Sequence, residues 1–140
     1  MTLKSAIIAY LKSNAGVLAV LTSAKVYANT APTASPNPLL VVHSGGDVAD
    51  RSLNKGLSGL SQARIEVDVY ADDTDTFEAL KTAVRKALDF VLNGTTVNTV
   101  SIRTCSLAQE EVDSYRVPTD SSQRGQFFET LNFSIWYDFK

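Results

Sequence analysis

One cysteine, one histidine and one tryptophan stand in a chain of 140 residues, and neither sign of charge dominates it. Each shortage removes a class of function. A lone Cys105 cannot close an intrachain disulfide, so no oxidising compartment is called for and a reduced, cytoplasmic folding environment is expected. His43 has no second histidine or cysteine pair with which to hold zinc. Thirteen basic against fifteen acidic residues leave a net charge of -2, which argues against a general binder of nucleic acid or anionic membranes. No apolar run approaches the roughly 18 residues that a membrane span requires.

What is present suits one globular core. The hydrophobic content of 44% over 140 residues predicts a single domain covering residues 1–140. The opening Met1-Thr2-Leu3-Lys4 and the apolar residues after it imitate a secretory signal. Lys12, Ser13 and Asn14 interrupt that run, however, and Leu3, Ile7, Tyr10 and Leu11 form the stripe of an amphipathic helix over about residues 2–14. A second short helical turn is expected over Gly16–Thr22. Pro32, Pro36 and Pro38 then impose a stiff connector on the surface.

Strands are read at Leu39–Ser44 and Ala63–Tyr70, the latter from its apolar and polar alternation. A helix follows in which Asp75 and Glu78 form a capping pair, Phe77, Leu80, Val84, Ala87, Leu88 and Val91 face the core, and Asn93-Gly94 ends the element. Its opposite face, with Lys81, Thr82, Arg85, Lys86 and Asp89, is expected to meet water or a partner. Thr99–Glu111 is a weakly patterned strand, with Val100, Ile102, Thr104, Ser106 and Ala108 on one side and Arg103, Cys105, Leu107 and Gln109 on the other. The last strand places Leu131, Phe133, Ile135, Tyr137 and Phe139 on one face. Trp136 interrupts its polar face and is expected either under the N-terminal helix or in a subunit contact. The elements assemble most simply as an α+β fold. Its four-stranded, mostly antiparallel sheet consists of two long hairpins, with the N-terminal and crossover helices packed on one face.

Candidate chemistry is thin. His43 ends an apolar strand and reads as a structural histidine. Cys105 as a nucleophile would need a base that only His43 supplies. Asp72, Asp73 and Asp75 lie at a helix start, where carboxylates cap free N–H groups and complement the helix dipole without any metal. Ser44-Gly45-Gly46-Asp47 lacks the Gly-Lys-Ser/Thr ending of a phosphate loop. No catalytic residue, metal ligand or cofactor-binding residue is assigned.

Two polar segments exceed what the core requires. Gly45–Gly59 (GGDVADRSLNKGLSG) holds four of the seven glycines and reads as an arm between two strands. Its length is beyond that of common hairpin loops, and its glycines suggest an arm ordered only by a partner. Residues 113–126 (DSYRVPTDSSQRGQ) form a second long loop. Charges of opposite sign sit close together in both: Asp47 and Asp50 with Arg51 and Lys55, and Asp113 and Asp120 with Arg116 and Arg124. Such pairs set register at an interface more than they add affinity. Asp47, Asp50, Arg51, Lys55, Arg116 and Arg124 are therefore the candidate interface residues.

The order of these elements, with the phrases AIIAYLKSNAGVLAVLTSAKVYA, NPLLVVHSGG, DRSLNKGLSGLSQARIEVDVYADD and FEALKTAVRKALD, resembles the minor tail proteins of long-tailed bacteriophages. These are the tail completion, tail terminator or head-tail joining proteins. The resemblance runs over about residues 3–92, and the small, polar arm before R-I-E-V-D-V-Y is its best single match. It implies a non-enzymatic virion protein that assembles in the host cytoplasm as a ring, commonly a hexamer, at the head-proximal end of the tail tube. Its implied partners are further copies of itself, the major tail tube protein and the head connector or head-completion protein. DNA is passing cargo only, and no membrane or cofactor is involved. The alternatives are a tail tube subunit and a small ferredoxin-like ligand-binding or enzymatic domain built on His43 and the acidic run near Asp72.

Overall fold

The computed structural model describes residues 2–32, 36–52, 56–110, 114–116 and 126–138. For those between 45 and 60, and for 109, 110, 114–116 and 126, it describes the backbone alone. Helix α1 (Leu3–Ser13) begins where the Thr2 side chain accepts a hydrogen bond from the Ser5 amide at 3.2 Å. It buries Leu3, Ala6, Ile7 and Leu11, and Tyr10 at the margin of this stripe donates its hydroxyl to the Ala87 carbonyl at 3.0 Å. Asn14 serves two helices. Its N–H donates to the Leu11 carbonyl at the end of α1, and its Oδ1 accepts from the Val17 amide at 3.1 Å to open α2 (Ala15–Leu21). One residue, through its backbone N–H on one side and its side chain on the other, thus satisfies end groups on both sides of the corner.

Among the described residues, seven strands form the sheet: β1 (Val26–Ala28), β2 (Leu39–Ser52), β3 (Gly56–Ala71), β4 (Thr96–Val97), β5 (Val100–Glu110), β6 (Ser114–Arg116) and β7 (Gln126–Asp138). Their order is β1-β2-β3-β7-β5-β4, with β6 also paired to β7. The four expected strands are the long ones, β2, β3, β5 and β7, and every pairing among neighbours in this set is antiparallel. The expected count of four was too low. The two- and three-residue strands β1, β4 and β6 are too short for a periodic signal, and β1 joins β2 in parallel.

One apolar cluster unites the helices with alternate residues of the sheet. Leu40 and Val42 from β2, Ala63, Ile65, Val67, Val69 and Ala71 from β3, and Leu131, Phe133 and Ile135 from β7 meet Leu3, Ile7, Leu11, Val17 and Leu21 there. Between β3 and β5 the chain forms α3 (Thr74–Leu88), which adds Phe77, Leu80, Val84, Ala87 and Leu88. Its N-cap is Asp73 and not Asp75. Asp73 Oδ1 accepts from the Thr76 amide at 2.8 Å and Oδ2 from the Thr76 hydroxyl at 2.9 Å, while Asp75 stands in the first turn. These bonds hold the exposed Asp73 carboxyl below the usual range for an aspartate.

The end of α3 also differs from expectation. The helix stops at Leu88, with Asp89 as C-cap and Phe90 in the left-handed region at φ 62°. Val91 consequently leaves the buried stripe and is 53% exposed. Gly94, at φ 74°, belongs to a later turn. The larger correction concerns Lys81, expected on the solvent face. It is buried, with Nζ 3.1 Å from Glu129 Oε2, 3.2 Å from Glu78 Oε1 and 4.7 Å from the centroid of the Phe77 ring. Glu129 shares the core-directed parity of Leu131 and Phe133 on β7. Lys81 meets it where α3 crosses that strand.

The weak patterning of β5 has a physical origin. Ile102 pairs with Tyr137 and Thr104 with Trp136, so Arg103 is an extra residue that reverses the alternation. Val100 and Ile102 before it are buried, and so is Cys105 after it. Trp136 is half-buried and alternates with the core residues Ile135 and Tyr137, which places it on the face away from the helices. It lies between Gln62 of β3 and Thr104 of β5, and not under α1.

Candidate assembly surface

The segment expected as an arm without structure of its own continues the two strands. β2 runs on to Ser52 and β3 begins at Gly56, with Asp47 opposite Ala63, Val48 opposite Gln62, Ala49 opposite Ser61 and Ser52 opposite Gly56. The pairing shifts between Ser44 and Asp47 and again between Ala49 and Arg51. A ladder of this kind satisfies the backbone of a polar, glycine-rich segment, so glycine content there does not mean absence of order. The hairpin outruns its neighbours. Among the described residues, β7 pairs with β3 as far as Leu60 and β1 pairs with β2 between Leu40 and Val42.

The candidate interface residues are distributed over both ends of the sheet. Asp47, Asp50 and Arg51 lie on β2, and Lys55 lies outside the described residues. Arg116 is the last residue of β6, opposite Gln126 of β7, whereas Arg124, Asp113 and Asp120 lie outside the described residues. The expected second loop is thus partly strand at Ser114–Arg116, and β7 starts at Gln126, earlier than the sequence pattern indicated. β2 and β6 attach to different neighbours, so Arg116 is not brought beside the arm.

At the root of the arm, His43 Nε2 lies 2.7 Å from Asp68 Oδ2, and the Thr130 hydroxyl donates to Asp68 Oδ1 at 2.7 Å. Further hydrogen bonds cross the same face, from Arg64 Nε to Asn132 Oδ1 at 3.3 Å and from Gln62 Nε2 to Ser134 Oγ at 3.1 Å. Asp68, Thr130 and Asn132 are buried although they point away from the helices. His43 is therefore a partnered strand residue whose neighbours join β2, β3 and β7. No group of three or more histidine, cysteine, aspartate or glutamate side chains among the described residues is arranged to hold a metal ion.

The opposite end of the sheet is closed by the turn after α3. Asp89 Oδ1 accepts from the Leu107 amide at 2.9 Å and Asn93 Oδ1 from the Cys105 amide at 2.7 Å. The Phe90 N–H donates to the Cys105 carbonyl at 2.8 Å, and the Ile102 N–H donates to the Thr95 carbonyl at 2.8 Å. Residues 89–97, β4 included, thus cover the outer edge of β5 as far as Leu107. The same turn displays Phe90, 66% exposed, beside Val91. Cys105 lies beneath it, and burial together with the Asp89 carboxylate pushes its thiol up to about 12. A thiol in that state is inert as a nucleophile.

Two shallow grooves flank the helices. One of about 500 Å³ is lined by Asn14, Gly16, Ala79, Thr82, Ala83 and Lys86, among others. The other, about 390 Å³, lies against Tyr10, Ser13, Val91, Leu92 and Val97. Neither includes His43 or Asp72, the residues on which a ligand-binding reading would depend.

A helix-backed, mostly antiparallel sheet with one long hairpin defines a small α+β protein. A family model places it further. The chain belongs to the family of tail completion protein gp17, whose model matches residues 5–127. It is a structural protein of bacteriophage-type tail assembly, associated with the virion. No curated protein matches the chain significantly in sequence. Its fold is similar to that of a chain in the virion of the native gene transfer agent particle, with 16% identity, a TM-score of 0.66 and coverage of 97% of this chain and 94% of that one. A second solved structure, 14% identical, covers 96% of each chain at a TM-score of 0.51.

Proposed function

We propose that this chain, acting as one domain, forms a ring at the head-proximal end of the tail tube. There it stops tube growth and offers the surface to which the head connector or head-completion protein binds. The observation that carries this reading is the β2–β3 hairpin, which among the described residues continues beyond both neighbouring strands. A subunit that has to engage its neighbours needs a rigid body and an element that reaches out of it. The candidate contacts are Asp47, Asp50, Arg51 and Lys55 in the hairpin and Arg116 and Arg124 at the β6–β7 end. Copies of this chain and the tail tube protein are the partners, DNA passes through the lumen, and assembly takes place in the host cytoplasm. Membership of the tail completion family supports this role.

Deletion of residues 47–57 tests the reading. The expected product keeps its core and its cooperative unfolding, and loses both ring formation in mass photometry and binding to purified tail tubes. Assembly of the deleted chain at the parental concentration would remove the arm from the mechanism. Growth of the purified protein into long tubes would instead identify a tube subunit, since a terminator does not propagate.

A further inference from the structure

We infer that copies of this chain join by main-chain pairing, the outer edge of β2 in one subunit adding to the outer β5–β6 edge of the next. The inference rests on the assembly reading and specifies its chemistry. Hydrogen bonds fix which backbone groups face outward. Leu40 N–H donates to Lys25 and the Val42 carbonyl accepts from Asn29, so these residues of β2 turn away from β3. The register carries the same parity through Ser44 to Asp47 and Ala49, which lie opposite Ala63 and Ser61, whereas Val48 turns toward β3. Among the described residues, no strand pairs with the outer side of β2 beyond Val42.

The other end of the sheet presents a matching edge. Outward amides of β5 are taken by Thr95, Asn93 and Asp89 at Ile102, Cys105 and Leu107. Beyond Leu107, the same parity turns Glu110 outward, opposite Leu131, and then Tyr115 of β6, opposite Phe127. Among the described residues these positions have a strand on the β7 side only.

Direction and symmetry select a second copy as the occupant. The long strands alternate in direction across β2, β3, β7 and β5, so β2 and β5 run oppositely. A copy repeated along the hydrogen-bonding direction sets its β2 antiparallel to β5–β6, the better-bonded arrangement. This contact is heterologous and generates a ring when its rotation closes. The free stretches are offset along the strands, because Val42 is level with Glu110 through Val67 and Leu131. Pairing therefore needs a stagger, which any closed array of tilted strands also requires. Pairing shifts and the charges Asp47, Asp50 and Arg51 break the β2 edge into short runs, which disfavours indiscriminate sheet growth.

Amide hydrogen exchange of the full chain, free and assembled alone or on tail tubes, tests the pairing. Exchange at Asp47, Ala49, Glu110 and Tyr115 is expected to slow by about 100-fold on assembly, with little change at Val48, which already faces β3. Ala49→Pro removes an outward N–H and is expected to abolish assembly while leaving core protection intact; Ala49→Thr, which keeps the N–H, assembles. Assembly of Ala49→Pro at parental concentration overturns the inference. So does protection of the arm without protection at Glu110 and Tyr115, the signature of β2–β2 pairing or of another partner. If deletion of residues 47–57 blocks assembly and Ala49→Pro does not, the ring reading stands and the edge pairing fails.

Discussion

Val42, Val67 and Leu131 form an apolar row across the helix side of the sheet, and Val41, Asp68 and Thr130 form the row beside it on the opposite side. Both rows are withdrawn from water. The first is stabilised by apolar burial, which tolerates small shifts of position. The second includes a carboxylate whose two oxygens are taken by His43 and Thr130, which requires three strands to hold one register. The contrast teaches that the helix face provides most of the stability, while the polar face specifies alignment at the root of the projecting hairpin.

Truncation is the most direct way to sharpen this contrast. Phe133→Ala empties the middle of the helix-side core and is expected to cost about 3–5 kcal/mol in chemical denaturation. Lys81→Ala strips Glu129 of its buried cation and is expected to cost a similar 3–5 kcal/mol or so. The paired change Lys81→Met with Glu129→Leu should recover most of that loss, and failure to recover would show that the ion pair does more than neutralise itself. On the polar face, Asp68→Ala leaves His43 and Thr130 without their shared acceptor and is expected to cost about 1–3 kcal/mol. If it costs as much as Phe133→Ala, the contrast between the faces breaks down.

The smallest effect concerns the cap of α3. Asp73→Ala is expected to lower the melting temperature slightly at neutral pH. The Asp73 carboxyl is held below its ordinary value in the folded chain, so the unfolded chain takes up this proton more readily. The stabilisation is therefore present above about pH 4 and is lost as pH falls through the folded value, where variant and parent melt alike. A chemical probe supplements the series. With its thiol pushed up to about 12 by burial and by Asp89, Cys105 should resist a thiol reagent at pH 8 in the native state and react on unfolding.

The elements that touch the core on one face were legible in the sequence. In α3 the apolar spacing identified Phe77, Leu80, Val84, Ala87 and Leu88, and alternation identified β3 and the central part of β7. Alternation disappears where a strand leaves the core, which is why residues 45–52 and 56–59 resembled a loop: neither face there is required to be apolar. Lys81 was misplaced because its own helix pattern marks it as solvent-facing, and its partner lies far away in sequence. Glu129 offered a signal, since it shares parity with Leu131 and Phe133, where a lone acid implies a buried cation. Val91 was read through the helical period, but the left-handed turn at Phe90 ends that period, and both residues are exposed. The segment that carries Asp47, Asp50 and Arg51 was legible only as an extension between two strands. The sequence did not reveal that the segment carries a continuous backbone ladder.

Extra residues at Arg103 and Ala108 give β5 three phases, and this makes the place of a length change decide its effect along that strand. A substitution at Arg103 affects an exposed side chain and its pair with Asp138, at 3.0 Å. Deleting the same residue would remove the bulge and leave one residue between Ile102 and Cys105, so regular alternation would keep both on the core face with their pairing to β7 intact. Deleting Ser106, which pairs one to one with Ser134, would instead turn Leu107 to the other face and move its amide out of reach of Asp89. Changes of length within this strand are therefore expected at its bulges and not at the paired positions between them.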